Sequence, residues 1–184
     1  TPPARSVIFA TVTAEERGLV GSDYFVHNPP VPAEAIVANI NLDSGVFLYD
    51  FADIIPFGTA YSTLEKNVQR VAAEHGLGIG GDPLPEEALF TRSDHYRFVQ
   101  QGIPSMFFMI GTTARDGAVD GLRELRGYVA DHLHRPSDDM SLPWDFIAAA
   151  RYAHFVAAVT RDVADGEQRP SWRRGNVFAR VARR

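Results

Sequence analysis

The sequence predicts an α/β fold, a three-layer α/β/α sandwich built on a mixed central sheet. Three observations carry that expectation. Apolar, β-branched runs at 7–12, 36–42 and 103–110 have the length and content of buried strands. Helical stripes lie between and after them, the clearest being Leu64, Val68, Val71 and Ala72. Carboxylates close the first two runs, Glu15-Glu16 after one and Asp43 after the other. Open α/β sheets gather ligands just beyond the carboxyl ends of their strands, so these acids stand where chemistry is usually done.

Taken in order, the run Val7 to Val12 reads as a buried strand leading through Thr13-Ala14-Glu15-Glu16-Arg17-Gly18 into a short helix that Asn28-Pro29-Pro30 stops. Ile36 to Leu42 is a second strand. The segments 47–51 and 54–57 read as one interrupted strand or as two. Ser62-Thr63-Leu64-Glu65 has the form of a capping box, opening a helix that ends at His75-Gly76. Gly76-Leu77-Gly78-Ile79-Gly80-Gly81 satisfies G-x-G-x-x-G, but it follows a helix instead of a strand, so it reads as a loop and not a dinucleotide site. A helix opens at Ser93 and closes at Gly102, and Ile103 to Ile110 is another buried strand. The polar stretch Thr112 to Gly127 is long for a connection and reads as an active-site loop. A long helix then presents Phe146, Ala150, His154, Ala157 and Ala158 near one face. The reading divides the chain into a main domain over 1–165 and an irregular carboxyl-terminal segment over 166–184.

Composition narrows the function. The 184 residues carry a formal net charge of −5, which argues against a general binder of nucleic acid or anionic membrane. No apolar run is long enough to span a bilayer. With no cysteine, disulfides and thiolate metal sites are excluded, and any metal must be held by His, Asp or Glu. Neither G-x-S-x-G nor H-E-x-x-H occurs, which sets aside nucleophile-elbow hydrolases and helical zincins. Ser93, Asp94 and His95 are adjacent, whereas a catalytic triad converges from separate parts of a fold. The available metal donors are Glu16, Asp43 and one of His132 and His134, suited to zinc or a related divalent cation. A carboxylate beside such a site is placed to take a proton from water. Each donor also has a plainer role: Asp43 as a strand-end Asx turn, His132 as a structural neighbour. His27, His75 and His154 read as surface or satisfied helix residues.

Four pieces in order, Ala14-Glu-Glu-Arg-Gly-Leu-Val-Gly-Ser22, Asn41-Leu-Asp43, Arg92-Ser-Asp-His-Tyr96 with Gly102-Ile-Pro104, and His134-Arg-Pro-Ser-Asp-Asp139, resemble the M28 family of zinc aminopeptidases, over nearly the whole chain to about Val163. The resemblance implies a zinc-exopeptidase-like fold, with Glu15 as general base, Glu16 and His134 on one zinc and Asp43 on the other. It implies pocket or supporting roles for Ser93, Asp94 and His95, a peptide substrate, and a periplasmic or secreted location. The family's two remaining ligands, in an upstream His-x-Asp motif and a bridging Asp, have no counterpart in 1–184. The expectation is therefore a domain apparently lacking its amino-terminal part, with three of five ligands for two zincs. Such a fragment should be inactive alone, and prone to self-association or to pairing with the missing amino-terminal segment. Two further departures are Leu133, where many relatives carry a Tyr, and Asp43-Ser44-Gly45, where relatives often have a bulkier residue after the Asp. The rival readings are a glutaminyl cyclase-like acyltransferase with one zinc and a non-catalytic peptidase-like binding domain.

Overall fold

The computed structural model describes residues 1–43 and 45–181, the last two through their backbone alone. Its centre is β4 (Ser105–Ile110), the run Ser-Met-Phe-Phe-Met-Ile, buried at every position. A strand buried on both faces needs a layer on each side, and its alternate residues divide accordingly. Met106, Phe108 and Ile110 join one core cluster with α2 (Leu64–Glu74) and α5 (Phe146–Asp165). Phe107 and Met109 join another with Leu125 and Tyr128 of α4 (Gly121–Asp131). The fold is thus α/β, with helices on both faces of the sheet. That sheet has four strands in the order β1 (Asn39–Asn41), β4, β2 (Asp53–Phe57), β3 (Gly78–Ile79). β4 runs parallel to β1, with Ile40 opposite Met106, and antiparallel to β2, with Phe57 opposite Phe107. β2 and β3 are parallel, so the sheet is mixed. A third cluster joins Val26 of α1 (Val20–His27) to Phe98 of α3 (His95–Gln100) and to Ile103.

The stripe of α2 is buried as expected, but its capping box is absent. The Ser62 hydroxyl accepts from Leu64 N–H at 3.3 Å instead of from Glu65, while the Ser62 N–H donates to the Thr59 carbonyl and Glu65 pairs with Arg173, so the reciprocal half of the box is not made. α5 is rotated from the expected face. Ala148, Tyr152, Phe155, Val156, Val159 and Val163 are buried, whereas Phe146 is 66% exposed. Both sets recur at helical spacing, and the one with larger side chains takes the core. Asp145 caps this helix, accepting from the N–H groups of Ile147 and Ala148 at 2.9 Å each.

Further expectations fail. The stretch 76–81, expected as a loop, contributes β3, because Gly78 and Ile79 pair with Asp53 and Ile54 of β2. The run Val7 to Val12 is not a strand, and Val7, Ile8, Phe9 and Val12 are exposed, Phe9 at 93%. Its β-branched residues favour an extended backbone, but a strand also needs a partner, and none pairs with it among the described residues. It is tied at its ends, by Arg5 N–H to Ala164 O at 3.0 Å and by Gly21 N–H to Thr13 O at 2.9 Å. The stretch 112–127 is likewise no simple loop. Asp120 caps α4 by accepting from Arg123 N–H at 3.1 Å, and Leu125 and Tyr128 carry its buried stripe. Gly121 is needed there because a Cβ would stand 2.5 Å from the Thr112 carbonyl oxygen. Of the two doubtful segments, only the second forms a strand. The segment 47–51 contributes a single bridge, Phe51 to Ala114.

The carboxyl-terminal stretch folds back on the body. Trp172 is 9% exposed, donates its indole N–H to Gly102 O at 2.7 Å, and stacks near Phe178 of α6 (Phe178–Val181). No helix among the described residues is long and apolar enough to cross a membrane.

Candidate functional site

Glu15 and Glu16 lie on a 3-10 turn, Glu15–Arg17, which is bracketed by left-handed residues. Ala14 has φ 57°, Gly18 φ 94° and Leu19 φ 62°. A left-handed backbone is unfavourable for Ala and Leu, and such positions persist only where surrounding structure holds them. Here α3 supplies part of the hold, since the Arg97 guanidinium donates to Gly18 O at 2.8 Å. The turn then runs into α1, with buried Ser22 donating to Leu19 O at 3.1 Å.

His134 meets this turn from the other side of the chain. Its Nε2 stands 2.6 Å from Glu16 Oε1, with the two side chains 60% and 67% exposed. His134 also has a left-handed backbone, φ 61°, the one non-glycine residue after Ala88 to do so among the described residues. Its neighbour His132 is engaged elsewhere, with Nδ1 3.1 Å from the Ser137 hydroxyl, which itself donates to Asp131 O. Leu133 packs against the second core cluster. Tyr128 donates to Asp138 at 3.0 Å, bracing the loop that carries His134.

Asp43 follows β1, and Ser44, the next residue, lies outside the described residues. The Ser93 hydroxyl donates to Asp43 Oδ2 and accepts from Asn41 Nδ2 at 2.8 Å. Ser93 is buried, so this chain holds the Asp43 carboxylate in place at the strand end. Asn41 and Ser93's bridging role escape a reading based on acids and histidines alone. The signal was nonetheless present: Asn41 and Asp43 are two apart at a strand end, hence on one face. Arg97 left no such signal.

Asp43, Glu16, Asp94 and His134 all act electrostatically on Glu15. Burial raises its carboxyl from the usual range to about 7, the negative charges of Asp43, Glu16 and Asp94 add to the rise, and His134 opposes it. Asp94 is also raised, by burial first and by Asp43, with the neighbouring Ser22 hydroxyl opposing the rise. His95 is fully buried, tilted against Phe90 and stacked on Phe107, with ring centroids 5.2 and 5.6 Å away. Neither ring nitrogen makes a well-formed hydrogen bond, and burial lowers its pKa to about 4 against a weaker hydrogen-bonding contribution from the Phe90 backbone and the charge of Asp43.

Glu and His are suitable donors for zinc, which takes three protein ligands in an open catalytic site and four in a closed one. The donor types fit. Their number does not, because among the described residues no group of three or more His, Asp or Glu is close enough to hold a metal ion. Of the expected ligands, Glu16 and His134 are in direct contact among the described residues.

Comparison with known proteins places the chain in a family. No curated protein matches the chain. Residues 1–159 match the model of Peptidase family M28, whose members are metallopeptidases and typically zinc-dependent. That match takes in the Glu15–Arg17 turn, the Asn41-Ser93-Asp43 chain and His134 together, and the chain belongs to peptidase family M28.

Proposed function

We propose that this chain contributes Glu15, Glu16, Asp43 and His134 to the site of a metal-dependent exopeptidase acting at free amino termini. The observation that carries the reading is the meeting of Glu16 and His134 at 2.6 Å beside a carboxyl group raised to about 7. A carboxyl group titrating near neutrality serves both directions of proton transfer, taking one from an attacking water and returning it to a leaving amine. Glu15 has that role. Glu16 and His134 offer an oxygen and a nitrogen donor, and Ser93 keeps Asp43 aligned with Asn41. Two donors at one point make a weak site, so the chain 1–184 alone binds zinc poorly and does not turn over peptides.

Zinc titration of 1–184 by calorimetry tests this, alongside Glu16→Gln and His134→Ala, with leucine-anilide cleavage measured on the same samples and on the native protein. The reading expects weak binding that either substitution abolishes, and no turnover by 1–184. In the native protein it expects leucine-anilide cleavage that Glu15→Gln removes. Zinc binding indifferent to both substitutions sinks it. The lack of a three-donor group among the described residues favours one other reading, a peptidase-like domain that binds without cutting. A native protein without aminopeptidase turnover would support that alternative, and release of pyroglutamate from amino-terminal glutamine would instead favour the cyclase-like one.

A further inference from the structure

A groove of about 600 Å³ opens at the end of the sheet remote from Asp43. Ile36 and Pro104, which precede the parallel strands β1 and β4, form part of its floor, whereas Asp43 follows β1. Val26, Ile103 and Trp172 complete an apolar floor, and Arg169 and Arg174 stand on its wall. Both arginines are exposed, and among the described residues no carboxylate pairs with either. Arg169 spends one N–H on the Ile36 carbonyl at 3.2 Å. A guanidinium has five, so it is oriented by that bond with donors to spare.

Within the described strap, residues 168–179 carry Arg169, Arg173 and Arg174 and no Asp or Glu, in a chain that is acidic overall. The strap bearing the groove's arginines is fixed. Ser171 exchanges two hydrogen bonds with Thr63, at 2.9 and 3.0 Å, Arg173 N–H donates to Tyr61 O at 2.9 Å, and Trp172 is anchored on Gly102. A groove held open in this way needs little reordering to receive a ligand.

We propose that this groove binds an extended acidic peptide segment, aliphatic side chains seated on the floor and Asp or Glu carboxylates taken by Arg169 and Arg174. Paired N–H donors on a planar guanidinium match a carboxylate two to two. The floor favours a peptide over nucleic acid, because Trp172 is 9% exposed and leaves little ring surface for a base to stack on. Glu34, also on the groove wall, is the opposing charge.

The test is fluorescence anisotropy of 1–184 with a labelled peptide of alternating Glu and Leu, acetylated and amidated so that it is no aminopeptidase substrate. A single-stranded oligonucleotide and anionic phosphatidylserine vesicles serve as competitors. Binding should weaken with salt and fall about tenfold or more in Arg174→Glu, while Glu34→Gln tightens it. Far-ultraviolet circular dichroism checks that each variant is folded. Equal binding by folded Arg174→Glu overturns the proposal. So does a peptide with Lys in place of Glu binding as well, or displacement by the oligonucleotide or vesicles at lower concentration than by unlabelled peptide.

Discussion

His95 should make the protein acid-labile, and by a calculable amount. The side chain is fully buried between Phe90 and Phe107 with no well-formed hydrogen bond on either ring nitrogen, so a proton gained there is a charge gained without solvent. Its pKa falls from 6.5 in the unfolded chain to about 4 in the folded one. Between those values the unfolded state binds the extra proton and the folded state does not. Stability therefore falls as pH falls below 6.5, and the loss is complete once pH drops below the folded value. The difference amounts to about 2 kcal/mol at pH 5 and about 3 kcal/mol at pH 4, a large part of a typical domain's stability. Glu15 works in the opposite sense, since a raised carboxyl favours the folded state as pH drops from 7 towards 4.5. The His95 contribution must therefore be isolated by difference. The assay is urea denaturation of wild type and His95→Phe from pH 7.5 to 4. The variant keeps a ring between the two phenylalanines and cannot titrate. Near pH 7 it should match or exceed wild type, because a buried ring with neither nitrogen in a well-formed hydrogen bond is replaced by an apolar one. On acidification wild type should lose about 3 kcal/mol more than the variant. Parallel stability curves would show that His95 reaches solvent or a partner, and the reasoning fails.

Other outcomes follow from the same structure. Phe155→Ala removes a fully buried ring set edge-on to Phe108 at 5.5 Å and should cost about 3 to 5 kcal/mol, read from the urea midpoint at unchanged slope. Ser93→Ala leaves Asn41 and Asp43 without their bridge, and should cost about 1 to 2 kcal/mol in the same experiment. Glu15→Gln should lower leucine-anilide cleavage by the native protein by about 10² to 10⁴ while leaving the melting temperature of 1–184 within a few degrees or above wild type. The exposed run Val7 to Val12 should make 1–184 associate as concentration rises, with Phe9→Lys shifting sedimentation towards monomer. Identical sedimentation of the two would remove that run as the cause.

The sequence alone determined the fold class, the buried central strand, the stripe of α2 and the residues that carry the M28 resemblance. These are local signals: an unbroken apolar run, a helical period and short motifs each speak for themselves. Tertiary structure decided what depends on a partner. Val7 to Val12 has the composition of a strand, yet no strand among the described residues supplies the hydrogen bonds that would make it one. Two faces of α5 had the right period, and only packing against β4 chose between them. As donor types His132 and His134 are alike, and in the sequence only the motif that follows His134 told them apart. The left-handed turn at 134 brings one to Glu16, while Ser137 engages the other. Asn41 acquires a role solely because α3 delivers Ser93 to the end of β1. Proximity across the chain has no sequence period to announce it, so groups that matter through their neighbours become visible when the backbone is folded.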